Sequence, residues 1–354
     1  MITMQDIAEK AGVNKGTVSY VLNGKHKKAR IGPETCERIK SIARKLGYRH
    51  NELARSVATG KSNMIAFVSW NTGTCEYIGK IMSGILEEIS IHGYSLKVYH
   101  LSGENSFDIA EKIIQQRVDG VIFHASENTN FQVIREEMKK NHIPCAVTNL
   151  TSQFSKVGVT TDDFQGTKDA VKHLAELGHK HITYISHQSS AVDTEYIVNR
   201  EAGYLAGMKE FIGDNGLVKI EKLQPDVFAN RTMLKSILDV SAENRSTGFI
   251  CINDILAMEL MQAAYQLGIK IPEELSIIGF ADLEMAKYAI VPLTTIAQPF
   301  EEMGRETANM LLDIIKNKKS DALCHVENRK LEVKLVIRRS TAPPVKIKNR
   351  KKLK

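Results

Sequence analysis

The chain is poor in the features that mark exported, membrane-bound or metal-dependent proteins. Its 354 residues include one tryptophan and five cysteines, Cys36, Cys75, Cys145, Cys251 and Cys324. Odd in number, widely spread and never at a metal-ligand pair spacing, these predict reduced thiols in a cytoplasmic chain. No stretch is long and apolar enough to span a bilayer, and the polar, acid-containing N-terminus does not read as an export signal. No Ser, His and Asp set stands in a recognisable motif, so nothing in the chain asks for an enzyme. Gly60-Lys61-Ser62 ends like a phosphate-binding loop, but the glycine required five residues earlier is Arg55. His173, His179, His181 and His187 crowd together, yet they straddle a helix end and a strand rather than one face. They read as structural or solvent-facing, and neither a metal nor a cofactor is expected.

Charge is plentiful and unevenly placed. Residues 1–61 hold 13 Lys and Arg against 5 Asp and Glu, and residues 342–354 hold 6 basic residues and no acidic ones. Since the whole chain is +7, the long middle must carry −7. Only the head and the tail suit a polyanion, although the tail's charge also fits a solvated, disordered end. The length and the 43% hydrophobic content suffice for two or three domains with real cores.

The basic head reads as three helices. Thr3 is placed to cap a helix starting at Met4, with Asp6 in its first turn and Ile7, Ala8 and Ala11 as its apolar face. Gly12 ends it, and Asn14 caps a second helix near residues 15 to 22, with Val18, Val21 and Leu22 facing inward. That is a helix-turn-helix, although any small helical hairpin shows the same spacing; the charge tips the reading towards DNA. A third helix follows, with Pro33 at its first position, Ile39, Ile42, Ala43 and Leu46 as its stripe, and Gly47 as its stop. Residues 51–58 form a capped two-turn segment too short to be helical alone, and so read as a linker that folds only when held.

From residue 62 the pattern alternates between strand and helix. Met64 to Ser69, Ser95 to His100, Gly120 to His124 and Pro144 to Asn149 read as short buried strands. A second series runs through His181 to Ser186, Val218 to Leu223, Thr247 to Ile252 and Leu275 to Gly279. Two doubly wound parallel sheets with a cleft between them are expected.

Specific runs then carry a resemblance. Met4-Gln5-Asp6-Ile7-Ala8-Glu9-Lys10-Ala11-Gly12-Val13-Asn14, Thr17-Val18-Ser19, Val21-Leu22-Asn23, Leu46-Gly47-Tyr48, Asn51 and Ala54-Arg55-Ser56 resemble the LacI/GalR family of bacterial repressors. The likeness continues through Val118-Asp119-Gly120, Leu177-Gly178-His179, Asn253-Asp254, Pro272-Glu273-Glu274-Leu275-Ser276, Gly279-Phe280 and Pro292-Leu293-Thr294-Thr295-Ile296. It implies an α-helical helix-turn-helix head plus an α/β body of two doubly wound, periplasmic-binding-protein-like lobes. The expected divisions are a head over 1–48, a hinge helix and linker over 49–61, a two-lobed effector-binding and dimerisation domain over 62–341, and a basic tail over 342–354. Within the body, lobe 1 is expected over about 62–178 and 293–322 and lobe 2 over about 179–292 and 323–341, with three hinge crossings.

For the DNA side, the resemblance implies that the second helix enters the major groove. Lys15 and Gly16 fall where the family reads base edges, and Thr17 and Ser19 at phosphate-contact positions; Thr3, Asn14, Asn23 and Tyr48 complete the expected DNA-binding set in the head. Tyr20 stands where most members have an arginine, so the operator half-site should differ from the common family sequence. Asn51, Ala54, Arg55 and Val57 resemble the element that folds in the minor groove, with Val57 replacing the usual wedging leucine and implying a shallower kink. A paired hinge requires a homodimer on a near-palindromic double-stranded operator, and the tail lacks the leucine heptads that would build a tetramer.

For the cleft, the resemblance implies a small effector, usually a sugar or related metabolite. Arg200 matches the family's ligand-clamping arginine, with a surface ion pair as the alternative. Asn253 and Asp254 stand at a strand's C-terminal end, positioned for a polyol or for capping the next helix. Ala281, followed by Asp282, stands where sugar-binding members carry an Asp, so the effector need not be an ordinary sugar. Trp70 and Tyr77 offer rings for stacking or for lobe packing, and Asp162 and Gln165 are weaker candidates that equally suit a helix cap. The expected function is a metabolite-controlled transcriptional regulator, most often a repressor in this family. The alternative is a regulator whose cleft ignores metabolites or answers to a protein partner; a solute-binding protein or cleft enzyme is least favoured.

Overall fold

The computed structural model describes residues 2–49, 62–70, 75–102, 105–124, 129–149, 157–187, 195–213, 216, 218–223, 227–240, 244–317 and 327–344. Contacts divide the chain into two units, Met1–Ser62 and Asn63–Lys354. Asn51, Ala54, Arg55 and Val57, Cys324 and most of the basic tail lie outside the described residues.

The first unit contains α1 (Met4–Ala11), α2 (Lys15–Leu22) and α3 (Pro33–Lys45). Thr3 and Asp6 form a reciprocal capping box, with the Thr3 N–H donating to Asp6 Oδ2 at 2.7 Å and the Asp6 N–H donating to Thr3 Oγ1 at 3.3 Å. The Thr3 hydrogen bonds hold the Asp6 carboxyl below its usual pKa. Gly12 ends α1 at φ 63°, a left-handed conformation that costs little only without a Cβ. Ile7, Ala8, Ala11, Val18, Val21, Cys36, Ile39 and Ala43 close one small core. A three-helix unit of this size buries little apolar area, so its caps carry weight beyond their usual ~1 kcal/mol each.

The second unit holds two six-stranded sheets. The first comprises β1 (Met64–Ser69), β2 (Ser95–His100), β3 (Gly120–His124), β4 (Cys145–Thr148), β5 (Val157–Thr161) and β11 (Glu327–Leu331), in spatial order β11-β5-β4-β3-β1-β2. Every pairing in it is parallel. Its helices are α4 (Glu76–Ile91), α5 (Ser106–Gln115), α6 (Thr129–Lys140) and α12 (Phe300–Lys316). The apolar faces of α4 and α12 meet over the sheet through Ile81, Ile85, Met303 and Leu311.

The second sheet comprises β6 (Ile182–His187), β7 (Val218–Leu223), β8 (Gly248–Cys251), β9 (Ser276–Ala281), β10 (Thr294–Ala297) and β12 (Lys334–Val336), in order β12-β10-β9-β8-β6-β7. Only the β10 and β12 pair is antiparallel. Around it lie α7 (Asp163–Glu176), α8 (Glu195–Gly207) with a π-helical continuation over Met208–Ile212, α9 (Val227–Leu238), α10 (Asp254–Gln266) and the short α11 (Glu284–Tyr288).

The lobe boundaries differ from those expected. β10 was expected in lobe 1 with α12, but Thr294–Ala297 pairs with β9 in the second sheet. The segment 323–341 does not belong wholly to lobe 2 either, because β11 pairs with β5 in the first sheet. Lobe 2 begins with α7 rather than near residue 179, since Ala170, Val171 and Leu174 of α7 join its core. The physical reason is that strand pairing places β10 and β11 and the apolar face places α7, and motif order along the chain reports neither. β5, β10, β11 and β12 were not anticipated as strands.

The chain passes between the sheets at Asp162, at Gln298-Pro299 and at Glu332-Val333. These passages are bonded to one another: the Asp162 N–H donates to Leu331 O at 2.9 Å, and Gln298 Nε2 donates to Thr161 Oγ1 at 2.8 Å.

His179 anchors the segment around Ala342 to lobe 2. Its Nδ1 lies 2.8 Å from Thr247 Oγ1, and its Nε2 lies 3.0 Å from Ala342 O and 3.1 Å from Ser276 Oγ. Burial lowers its pKa from 6.5 to about 4. Between those values the unfolded chain binds a proton that the native chain refuses, so stability falls as pH drops through this window. The His179→Gln variant should show a flatter decline of melting temperature between pH 6.5 and 4 than the parent, the difference being at most about 3 kcal/mol. Parallel melting curves would rule out a neutral buried His179.

Candidate functional site

In the head, α2 turns two faces to different tasks. Val18 and Val21 are buried, while Lys15, Gly16, Tyr20 and Asn23 are exposed and Thr17 and Ser19 half-buried. The Asn14 carboxamide oxygen accepts from the Thr17 N–H at 2.7 Å and from Thr17 Oγ1 at 3.0 Å, which fixes the helix start. At the other end Asn23 Nδ2 donates to Ser19 O at 2.8 Å. The N-terminal turn carries outward N–H groups and a lysine, and Tyr20 is 47% exposed with its ring free to meet a groove. Thr3 and Asn14 are both helix caps, and Tyr48 is half-buried against the head core.

In the body, a cleft with about 100 Å³ of enclosed space opens between the lobes where the C-terminal ends of both sheets face each other. Lobe 1 supplies Tyr77 and Ile81 of α4, His124 ending β3, Asn149 following β4, and Phe300 opening α12. Lobe 2 supplies Tyr196 and Arg200 of α8, Asn253 and Ile255 at the start of α10, and Ala281 and Leu283 after β9. Gln298, on the second passage between lobes, completes the lining.

Arg200 is the hub. It is 5% exposed, and each of its three nitrogens has an acceptor: Nε meets Asp163 Oδ1 at 2.8 Å, Nη1 meets Ile252 O at 2.6 Å, and Nη2 meets Gln298 Oε1 at 3.2 Å. Nη2 also lies 2.7 Å from Asp163 Oδ1. The guanidinium carbon sits 3.6 Å over the Phe280 ring and 5.0 Å from the centre of the Tyr196 ring. Burial pushes the Asp163 carboxyl upward in pKa, and the adjacent guanidinium and the Thr161 hydroxyl oppose that. One side chain therefore ties α7, α8, the end of β8 and the second passage together.

The rest of the lining is neutral. Burial lowers the His124 pKa to about 4, and its Nδ1 lies 2.8 Å from Thr148 Oγ1. Burial also lowers the His187 pKa, and its Nε2 lies 2.9 Å from Asn253 Nδ2. Asn253 Oδ1 meanwhile caps α10, accepting from the Leu256 N–H at 2.8 Å.

Of the nine cleft candidates, Tyr77, Arg200, Asn253 and Ala281 line the cleft. Trp70 does not: its ring packs edge-on to Phe131 on the far side of the first sheet, and its indole N–H finds no acceptor among the described residues. Asp162 caps α7 by accepting from the Gln165 N–H and lies 3.7 Å from Lys330 Nζ, while Gln165 Nε2 donates to Asp169. Asp254 is buried, accepting from Thr295 Oγ1 at 2.5 Å and from the Leu283 N–H at 2.7 Å, and burial raises its pKa to about 6. Asp282, at φ 55°, pairs with Arg338. These four polar residues serve the frame. His124, Asn149, Tyr196, Gln298 and Phe300 were missed; His124 and Asn149 stand at strand ends and Tyr196 one turn before Arg200, which were the available signals.

A capped helix-turn-helix head and a two-lobed α/β body with an interlobe cleft define a DNA-binding transcriptional regulator. Residues 3–51 match the bacterial regulatory proteins of the lacI family, and residues 171–341 match a periplasmic binding protein-like domain. The chain is 30% identical over 351 residues to the HTH-type transcriptional regulator DegA of Bacillus subtilis (strain 168), covering 96% of this chain and 98% of that protein. It is 30% identical over 329 residues to the HTH-type transcriptional repressor PurR of Vibrio vulnificus (strain CMCP6), covering 91% and 94%. The lac repressor dimer bound to operator and the anti-inducer ONPF superposes with a TM-score of 0.78 at 22% identity, covering 96% of this chain and 99% of that one. A LacI family regulator from Enterococcus faecium with bound ribose gives 0.67 at 27% identity, over 79% and 99%. The chain belongs to the lacI family.

Arg200 and Asp163 should be energetically coupled. Replacing Arg200 by Met strands a buried carboxylate and should cost about 3–5 kcal/mol, while the Arg200→Met, Asp163→Leu double variant should recover much of it. Urea unfolding of the four proteins measures this, and additive losses would mean that the pair is not a unit.

Proposed function

We propose that the chain is a repressor that binds a near-palindromic operator as a homodimer and is controlled by a small metabolite in the interlobe cleft. The observation that carries the reading is the exposed face of α2, where Lys15, Gly16, Tyr20 and Asn23 project from a helix pinned by Asn14. Lys15, Tyr20 and Asn23 are the proposed base readers, with Gly16 letting the backbone approach the base edges, Thr17 and Ser19 on phosphate and Thr3 and Asn14 setting the helix starts. Tyr20 brings an aromatic hydroxyl where a guanidinium would read guanine bidentately, so the half-site favours a different base at that step. Action on chromosomal DNA puts the protein in the cytoplasm. No helix among the described residues is long and apolar enough to cross a membrane. Binding rather than turnover is the proposed activity, as in the regulators to which the chain is similar.

The dimer face we propose is an apolar groove on lobe 2, between α10 and the segment after α11. Met258, Met261, Tyr265, Met285, Tyr288 and Ile290 line it. Ile290 is 99% exposed and Tyr288 78%, an apolar surface that a second copy would cover. The superposed lac repressor was solved as a dimer on operator. Ile255 lines both this groove and the cleft, so a ligand that moves the start of α10 also moves the face of the dimer.

Selection on random duplexes should enrich a palindrome. If six to ten phosphates are contacted, affinity should fall roughly 1,000-fold to 100,000-fold between 50 and 200 mM salt. Ile290→Glu should yield monomers by sedimentation and lose most operator affinity while still unfolding in a cooperative transition, at a melting temperature below the parent's and independent of protein concentration. A dimeric Ile290→Glu protein would place the interface elsewhere, and enrichment of a single half-site would remove the dimer from the reading.

A further inference from the structure

Accepting the cleft as the effector site, we propose that its ligand is an uncharged molecule with a flat aromatic ring, rather than a sugar or an organic anion. The argument rests on which groups in the cleft are already committed and which are not.

Aromatic faces are what the cleft offers. The Tyr77 ring centre lies 5.5 Å from those of both His124 and Phe300, tilted by 54° and 34°; those two are themselves buried, so Tyr77 is the ring that lobe 1 turns to the cleft. Tyr196 faces the cleft from lobe 2. A flat ring entering between the lobes meets Tyr77 on one side and Tyr196 on the other.

Sugar-binding chemistry is scarce, the Asn149 carboxamide being the one amide of the described lining left for a hydroxyl. Holding a polyol needs acceptors for its hydroxyls, and no carboxylate is among the described lining residues. Ala281 puts a methyl group at the end of β9. The amides of Asn253 and Gln298 are each bonded at both ends, to Leu256 and His187 and to Arg200 and Thr161. Using either for a ligand costs an existing hydrogen bond.

Charge argues against an anion. Arg200 is the one permanently charged group among the described lining residues, and Asp163 already neutralises it from 2.7 Å. The neighbouring histidines stay uncharged at neutral pH because burial lowers their pKa values. A carboxylate or phosphate entering here would lose its hydration without meeting an unpaired cation.

Thermal shift and calorimetry on the full chain test this with matched probes: nicotinamide against nicotinate, uracil against orotate, and ribose and cellobiose. The neutral ring of each pair should raise the melting temperature and bind roughly tenfold or more tightly than its anionic partner, with no shift from either sugar. Asp163→Asn keeps a side chain of the same shape beside Arg200 but removes the compensating charge, so preference should turn towards nicotinate and orotate. Tyr77→Leu should abolish ring binding, and it carries the test if Asp163→Asn fails to fold. Equal binding of neutral and anionic partners, a sugar response without a ring response, or no shift from a neutral ring at about 10 mM would each overturn the inference. Operator affinity separates the two levels: a sugar that moves it keeps effector control and removes the ring. A ring that binds without moving it keeps the ring and removes effector control.

Discussion

The body depends on one buried guanidinium. Taking Arg200 and Asp163 out of water is expensive, and the cost is met only because every nitrogen of the guanidinium has an acceptor and its faces lie against rings. The acceptors come from elements far apart in the chain: Asp163 opens α7, Ile252 follows β8, and Gln298 lies on a passage between lobes. Gln298 reaches on to Thr161 at the end of β5, so the network touches two of the three passages, and a backbone bond from Asp162 to Leu331 includes the third. Any motion of one lobe against the other must carry this set as a block or break it bond by bond. A two-lobed protein with a cleft wired in this way has discrete arrangements rather than a continuum.

The head solves a different problem with different means. Among its described residues it has no buried ion pair; its small apolar core is bounded by side-chain caps at the starts of α1 and α2 and by proline at the start of α3. Such caps are local in sequence, and for that reason nearly all of the head could be read from the chain: Thr3, Gly12, Asn14 and Pro33 declare their roles by their neighbours alone. Most strands of the body were legible for a similar reason, because a short apolar run between turn signals is a local pattern.

What the sequence hid was pairing and direction. Thr294–Ala297 stands in a motif run next to a helix of lobe 1, and only its bonds to β9 reveal that it belongs to lobe 2. β5 and β11 are mixed in polarity and escape a search for apolar runs, yet they form one edge of the first sheet. Among the cleft residues, position at a strand end found Asn253 and left two uses open, a polyol contact or a helix cap, and the carboxamide does cap α10 while lining the cleft. Trp70 and Tyr77 are seven residues apart and indistinguishable by type, but they lie in cores on opposite faces of the first sheet, and no local pattern reports that.

The start of α10 shows how frame and cleft are joined. Gly279 has no Cβ because one would collide with the Asp254 carboxylate, which lies against the β9 backbone. From there Asp254 binds the Thr295 hydroxyl and the Leu283 N–H, fixing the turn after β9 in which Ala281 takes φ 130° and Asp282 φ 55°. Both are positive values that L-residues avoid, and they persist because the Asp254 bonds and the Asp282–Arg338 pair over-determine the turn. Asp254 is flanked by Asn253 and Ile255, which line the cleft, and Ile255 extends into the apolar groove. A strained turn, a buried carboxylate and the first turn of α10 thus form one rigid piece with the cleft on one side and the exposed apolar face on the other. Displacement of that piece is the shortest physical route from an occupied cleft to a changed lobe 2 surface.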